Sequence, residues 1–144
     1  MKRTRNDSIE LTIPAKPKYL RIIRMTIRYL CKTLNLNSGE TNLIILAVDE
    51  ACSNIIKHAY KGPTEKPIQI SCTIYEDRIE FILKDDGERA NLDEIKSRQL
   101  DDIRPGGLGV HLIKTVMDVV TYTANPDSGN VLKMTKFLQV KGFE

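Results

Sequence analysis

The stretch Ala47-Val48-Asp49-Glu50-Ala51-Cys52-Ser53-Asn54-Ile55-Ile56-Lys57-His58-Ala59-Tyr60 reads as a helix with two unlike sides. At about 100° per residue, Glu50, Asn54 and His58 stand in one column within an arc of about 80°. Ile45, Val48, Cys52, Ile55 and Ile56 gather on the opposite side. An acid and an amide carbonyl stacked one turn apart offer oxygen donors to a hard cation. An ordinary amphipathic helix with a solvated polar face has the same pattern, so the meaning of the column depends on what lies downstream.

Two segments downstream bear on it. Phe81-Ile82-Leu83-Lys84-Asp85-Asp86-Gly87 reads as a buried strand ending in an acid and a glycine. Arg104-Pro105-Gly106-Gly107-Leu108-Gly109-Val110-His111-Leu112-Ile113 reads as a glycine-rich loop running into an apolar helix. Unpaired amide N–H groups and the positive end of a helix dipole hold phosphate oxygens at such a junction. Loop glycines also serve tight turns and helix starts, and the two roles coexist. With the column, the three segments describe a triphosphate site.

The order Glu-x3-Asn-x3-His, then Asp-x-Gly, then Gly-Gly-x-Gly resembles the N, G1 and G2 boxes of the GHKL ATPase superfamily. Glu50-Ala51-Cys52-Ser53-Asn54 with His58-Ala59-Tyr60, the short gap from Asp85 to Gly106, and Gly-Gly-Leu-Gly-Val-His-Leu-Ile look most like bacterial serine-protein kinases that act as anti-sigma factors. The likeness spans roughly residues 8 to 140. It departs from the pattern at Glu88-Arg89, where many members have a second glycine.

The resemblance implies roles for individual residues. Asn54 is the Mg²⁺ ligand, and Glu50 one turn earlier is the general base that accepts the proton of an attacking hydroxyl. An ion pair of Glu50 with Lys57 or a partner's arginine is the competing reading. His58 orients Glu50, contacts phosphate, or is structural. Asp85 accepts a hydrogen bond from the adenine amino group, and Gly87 lets the backbone approach the base. Gly107 and Gly109 cradle phosphate, with backbone from Gly106 and Leu108. Lys84, Arg89 and Arg104 are candidates for added positive charge nearby.

A length of 144 residues suits one domain, here 1–144 with 1–7 as a flexible tail, long enough to bury a core without disulfides. Its 3 cysteines, Cys31, Cys52 and Cys72, sit among apolar neighbours and read as buried thiols in a reducing cytoplasm. No apolar run reaches the roughly 18 residues of a membrane span, and no signal peptide is evident. Net charge is +3 with the signs interspersed, so neither a nucleic-acid nor a membrane partner is expected.

Alternation of Ile9, Leu11 and Ile13 predicts a strand over 8 to 14, and Leu20, Ile23, Ile27, Leu30 and Leu34 predict a helix over about 17 to 34 with Arg21, Arg24 and Arg28 off its apolar stripe. Ser38 is the expected cap of the box helix. Gly62-Pro63 and Pro67 read as a loop before a hairpin built on Ile68, Ile70, Cys72 and Ile74, then Ile79, Phe81 and Leu83. The polar segment 90 to 105 reads as a mobile lid. A helix to about 118, a strand over 119 to 124, a turn over 125 to 129 and a strand over 131 to 140 complete the chain. These elements argue a two-layer α/β sandwich with a mixed, mostly antiparallel sheet. The resemblance implies the same layout, the Bergerat or histidine-kinase-like ATPase fold.

The implied function is an ATP- and Mg²⁺-dependent serine/threonine-protein kinase acting as an anti-sigma regulatory factor. It phosphorylates a small antagonist protein and holds a sigma factor when the antagonist is unavailable; homodimerisation is left open. The alternative is an ATP-gated sequestering module without phosphotransfer. A two-component histidine kinase would place a helical segment with a phosphoacceptor histidine ahead of the box helix, and a gyrase-type ATPase would add a transducer domain. Neither reading is favoured.

Overall fold

Isoleucine and leucine at alternate positions give each long strand one face that must leave water. In the computed structural model, which describes residues 6–88, 108–124 and 129–139, they do so against a layer of helices. The elements are β1 (Asp7–Ala15), a 3-10 turn (Pro17–Tyr19), α1 (Leu20–Thr33), α2 (Ser38–Asn54), a π-helical turn (Ile55–Ala59), β2 (Thr64–Ile74), β3 (Arg78–Asp85), α3 (Leu108–Val116), β4 (Val119–Ala124) and β5 (Asn130–Phe137).

Among the described residues the sheet has 5 strands in the order β1-β2-β3-β5-β4. It was expected to be mixed, yet every pairing among them is antiparallel. Ile13, Ile68, Ile70, Cys72, Ile79, Phe81, Leu83, Leu132 and Met134 are buried on the inner face. Glu10, Thr12, Gln69, Lys84 and Lys133, at the alternate positions, are exposed. The layout is the two-layer sandwich the periodicity predicts, with α2 at the middle of the helix layer.

α2 packs against both α1 and α3. Its buried set is accordingly broad: Thr41, Ile44, Ile45, Ala47, Val48, Ala51 and Cys52. Small side chains at Ala47 and Ala51 let the neighbouring layers approach closely. α1 buries Leu20, Ile23, Ile27, Leu30 and Cys31 along one stripe. It ends where Asn35 takes a left-handed φ of 57° and the Leu36 N–H donates back to the Cys31 carbonyl at 3.1 Å.

Four boundaries differ from expectation. The cap of α2 is Asn37 rather than Ser38: Asn37 Oδ1 accepts the Glu40 N–H at 2.8 Å, and its amide reaches Glu40 Oε1 at 3.3 Å. An extended residue whose side chain reaches the third N–H is what a helix start requires, and Asn37 meets that condition. β2 begins at Thr64, not after Pro67, because the edge strand β1 pairs through Pro14↔Pro67 and then shifts register to Ala15↔Thr64. β1 starts at Asp7, the last residue of the expected tail. β5 covers Asn130–Phe137, earlier at both ends than predicted.

The cysteines are free and buried. Burial pushes all three thiols up, so they stay protonated at neutral pH. No helix among the described residues is long and apolar enough to cross a membrane.

Replacing Asn37 with alanine should cost about 1 kcal/mol by leaving the first turn of α2 without its side-chain acceptor. Ser38→Ala should cost much less. Urea unfolding of both variants checks the assignment, and a larger loss from Ser38→Ala than from Asn37→Ala would return the cap to Ser38.

Candidate functional site

Two elements of the predicted constellation meet at one end of the sheet. The first is the C-terminal end of α2, where Glu50 and Asn54 lie one turn apart, both half-buried. A uniform α-helix would carry their column on to His58. Instead the chain widens into the π-helical turn, with the Tyr60 N–H donating to the Ile55 carbonyl at 3.0 Å and the Gly62 N–H to the Ile56 carbonyl at 2.8 Å. The wider turn follows directly on Asn54, so Glu50 and Asn54 stand on regular α-helix and His58 on the π-helical turn. His58 and Lys57 are exposed. Among the described residues Glu50 forms no ion pair with Lys57. Its neighbour Asp49 does pair, accepting from Arg24 Nη1 of α1 at 2.6 Å.

The second element is the turn after β3. Asp85, the last residue of the strand, is only 7% exposed. Burial is the main influence on its carboxyl and raises it above the ordinary aspartate value. Two donors work against that rise: the Gly87 N–H at 2.9 Å and Asn130 Nδ2 at 3.0 Å, both on Oδ1. Asn130 opens β5 directly opposite Asp85 in the register and also donates to the Glu88 carbonyl at 2.9 Å. One asparagine thus holds both ends of the turn from the sheet side.

The backbone around Asp85 leaves no room for side chains. A Cβ on Gly87 would lie 2.6 Å from the Ala59 carbonyl oxygen. One on Gly129 would lie 1.9 Å from the Asp85 carbonyl oxygen, and Gly129 has φ +83° besides.

From the helix side the turn is held by the end of the π-helical segment. The Glu88 N–H donates to the Ala59 carbonyl at 2.8 Å. The Tyr60 hydroxyl donates to the Pro67 carbonyl at 2.6 Å and accepts the Asp86 N–H at 2.7 Å. An exposed pair, Lys61 with Glu88 at 2.9 Å, lies outside these bonds and adds little.

The glycine-rich segment is described only from its helical end. Leu108 and Gly109 belong to the first turn of α3, so they are helix rather than loop. Gly106, Gly107, Arg89, Arg104 and the predicted lid over 90 to 105 lie outside the described residues. At its other end α3 is tied to β5 by Lys136 Nζ, which donates to the Val116 carbonyl at 3.0 Å. Asp118 then accepts the Phe137 N–H through Oδ2 at 2.6 Å.

Asn130, Gly129 and the hydroxyl of Tyr60 were not predicted as site residues. Asn130 reaches Asp85 through a strand pairing 45 positions away in sequence, which no local period encodes. The only local signal was a glycine and an asparagine at the end of a turn.

The fold agrees with what the chain is similar to. A histidine kinase-like ATPase domain model matches residues 13–136. The serine-protein kinase RsbW of Halalkalibacterium halodurans is 38% identical over 142 residues, covering 92% of this chain and 85% of that protein. RsbW of Bacillus subtilis is 34% identical over 140 residues, covering 92% and 86%. Among solved structures, the SiaB–SiaC complex of Pseudomonas aeruginosa contains a chain of the same fold, with a TM-score of 0.64 at 12% identity over 90% of this chain and 89% of that one. The chain belongs to the histidine kinase-like ATPase domain family, in the branch of the RsbW serine-protein kinases.

Proposed function

We propose that this chain is a cytoplasmic anti-sigma factor kinase that transfers the γ-phosphoryl group of ATP to a serine or threonine of a small antagonist protein, and that it holds a sigma factor when the antagonist is absent. The observation that carries this reading is a junction. The turn holding Asp85 is hydrogen-bonded directly to the end of the helix segment that follows Glu50 and Asn54. A base-reading acid and a pair of oxygen donors are therefore parts of one rigid unit.

The donor set suits the groups it would hold. Asp85 presents a buried carboxylate whose Oδ1 is already occupied by two donors, which leaves Oδ2 to accept the amino hydrogen of adenine. Guanine has a carbonyl at that position and would set oxygen against oxygen. Among the described residues no three His, Cys, Asp or Glu side chains converge on a metal position. Asn54 as one ligand beside phosphate oxygens and water matches the habits of Mg²⁺, which would neutralise charge on the phosphates. Glu50, one turn away, would take the proton of the attacking hydroxyl as the new P–O bond forms and the bond to the β-phosphate oxygen breaks. Gly107 and Gly109, with Gly106 and Leu108, would supply amide donors to the phosphates.

A docking face is open on the other side of the helix layer. Ile22, Met25 and Tyr29 form an exposed stripe on α1, beside Leu43 and Leu46 on α2; Met25 is 61% and Tyr29 68% exposed. The two helices run antiparallel, as the Arg24–Asp49 and Arg28–Asn42 contacts require. α1 carries Arg21, Arg24, Arg28 and Lys32 and no acid. Arg24 lies off the apolar stripe with the other two arginines, but Asp49 holds it, so Arg21 and Arg28 remain as the exposed arginines. An apolar stripe with a basic rim fits a partner of acidic surface better than a second copy of itself, and the antagonist is the proposed occupant.

Glu50→Gln keeps shape but removes the base, so Mg-ATP should still bind while phosphotransfer falls about 10²-fold or more. Asn54→Ala should weaken both. Single-turnover transfer measured beside equilibrium nucleotide binding tests the pair: wild-type transfer by Glu50→Gln removes the general-base role, and a wild-type protein that binds ATP without transfer is a sequestering module.

Mg-ATP at about 100 times its dissociation constant should stabilise the fold by about 2.7 kcal/mol. GTP should stabilise it far less, and Asp85→Asn should lose the effect of ATP. Equal thermal shifts from the two nucleotides would overturn base reading by Asp85.

Met25→Asp with Arg28→Glu should abolish pull-down of the antagonist and leave ATP binding intact. Unchanged pull-down together with a change from dimer to monomer in sedimentation would make this face a homodimer interface instead.

A further inference from the structure

The hydroxyl of Tyr60 bridges three segments that are separate in sequence. It belongs to the residue capping the π-helical turn, donates to a carbonyl of β2 and accepts an N–H from the turn after β3. The carbonyl it reaches lies where a ladder stops. The β2–β3 pairing ends at Ile68↔Asp85, so Pro67 and Asp86 are the next positions on the two strands. The Tyr60 hydroxyl takes the place of the next ladder bond, bridging the Pro67 carbonyl and the Asp86 N–H.

The N–H it accepts is equally telling. Asp86 lies between Asp85 and Gly87, the two residues whose mutual hydrogen bond shapes the turn. Asp86 itself is exposed, so water could satisfy its N–H without help. An exposed amide taken by a half-buried hydroxyl at 2.7 Å therefore fixes position rather than rescuing a buried donor.

We propose that Tyr60 is the positioning residue for adenine recognition: its hydroxyl, clamped between the Pro67 carbonyl and the Asp86 N–H, sets the orientation in which Asp85 and Gly87 meet the base. Tyr60 touches no substrate. The proposal rests on the reading of Asp85 given above and adds the part that keeps its carboxylate aimed. Burial pushes the Tyr60 phenol up, so it remains protonated and able to donate throughout the neutral range. Asn130 holds Asp85 and Glu88 from β5, and Tyr60 opposes it from the helix side, so the turn is gripped between two walls.

The test is Tyr60→Phe in the full chain, which removes one oxygen and keeps the ring. Titrations with Mg-ATP and Mg-GTP, phosphotransfer at saturating ATP, and thermal unfolding are measured for wild type, Tyr60→Phe and Asp85→Asn. Tyr60→Phe should bind ATP roughly 3- to 10-fold more weakly, the worth of one or two neutral hydrogen bonds, while GTP affinity stays put and kcat at saturation is preserved. Discrimination between the bases should narrow by the same factor. Unchanged ATP affinity, or an equal loss for ATP and GTP, overturns the positioning role; the second result would mark a merely structural tyrosine. Asp85→Asn separates the two claims: full ATP affinity there removes the base reading and the positioning role together, whereas loss there with an unaffected Tyr60→Phe removes only the latter. Should Tyr60→Phe fail to fold, amide exchange in the wild-type protein decides: Asp86 must exchange slowly despite its exposure, and fast exchange refutes the clamp.

Discussion

A carboxylate taken out of water at the end of a strand has to be solvated by the protein itself, and much of this site follows from that demand at Asp85. Its Oδ1 needs donors, which come from the Gly87 N–H and the Asn130 amide. The Gly87 N–H reaches back only if the chain turns sharply against Ala59, where a side chain would collide. Asn130 arrives only if β5 begins in contact with the Asp85 backbone, and Gly129 is the residue that permits it. Breaking any of these contacts would leave a buried charge short of partners, which is far more costly than losing an ordinary surface hydrogen bond.

The same demand explains why helix and sheet are joined here. The π-helical turn brings the Ala59 carbonyl and the Tyr60 hydroxyl to the turn after β3, and an α-helical continuation would have directed the chain elsewhere. Widening a helix by one residue loses favourable backbone geometry, and such turns persist where the surroundings use them. In this chain it docks the strand end against the helix end.

Much of the fold was legible because the strands alternate cleanly and the helices carry continuous stripes. Ile68, Ile70 and Cys72 facing Phe81 and Leu83 leave little choice of register, since a slip of one residue would turn every one of them to solvent. The positions of Glu50, Asn54 and Asp85 at element ends were legible for the same reason. What escaped depends on contacts between distant segments or on single dihedral angles. Ser38 and Asn37 are both good caps in sequence, and the backbone angle at Asn37 decides between them. Pro67 argues against a strand until Pro14 of the edge strand β1 is seen across from it, one position beyond the last β2–β3 pair, Ile68↔Asp85. The π-helical turn over Ile55–Ala59 was not legible either, because a helical period read from sequence is constant.

The attachment of α3 has a mechanical consequence. Its C-terminal carbonyl is held by Lys136, and the residue that follows Met117 is bonded to β5 on two sides, so that end of the helix is fixed to the sheet. A helix of 9 residues is about 13 Å long. A tilt of about 10° would sweep its N-terminus by about 2 Å, comparable to the difference between a hydrogen bond made and one broken. With the sheet end as fulcrum, small rearrangements of the core near Val116 and Met117 would be magnified at the far end of the helix, where the amides proposed to hold phosphate begin.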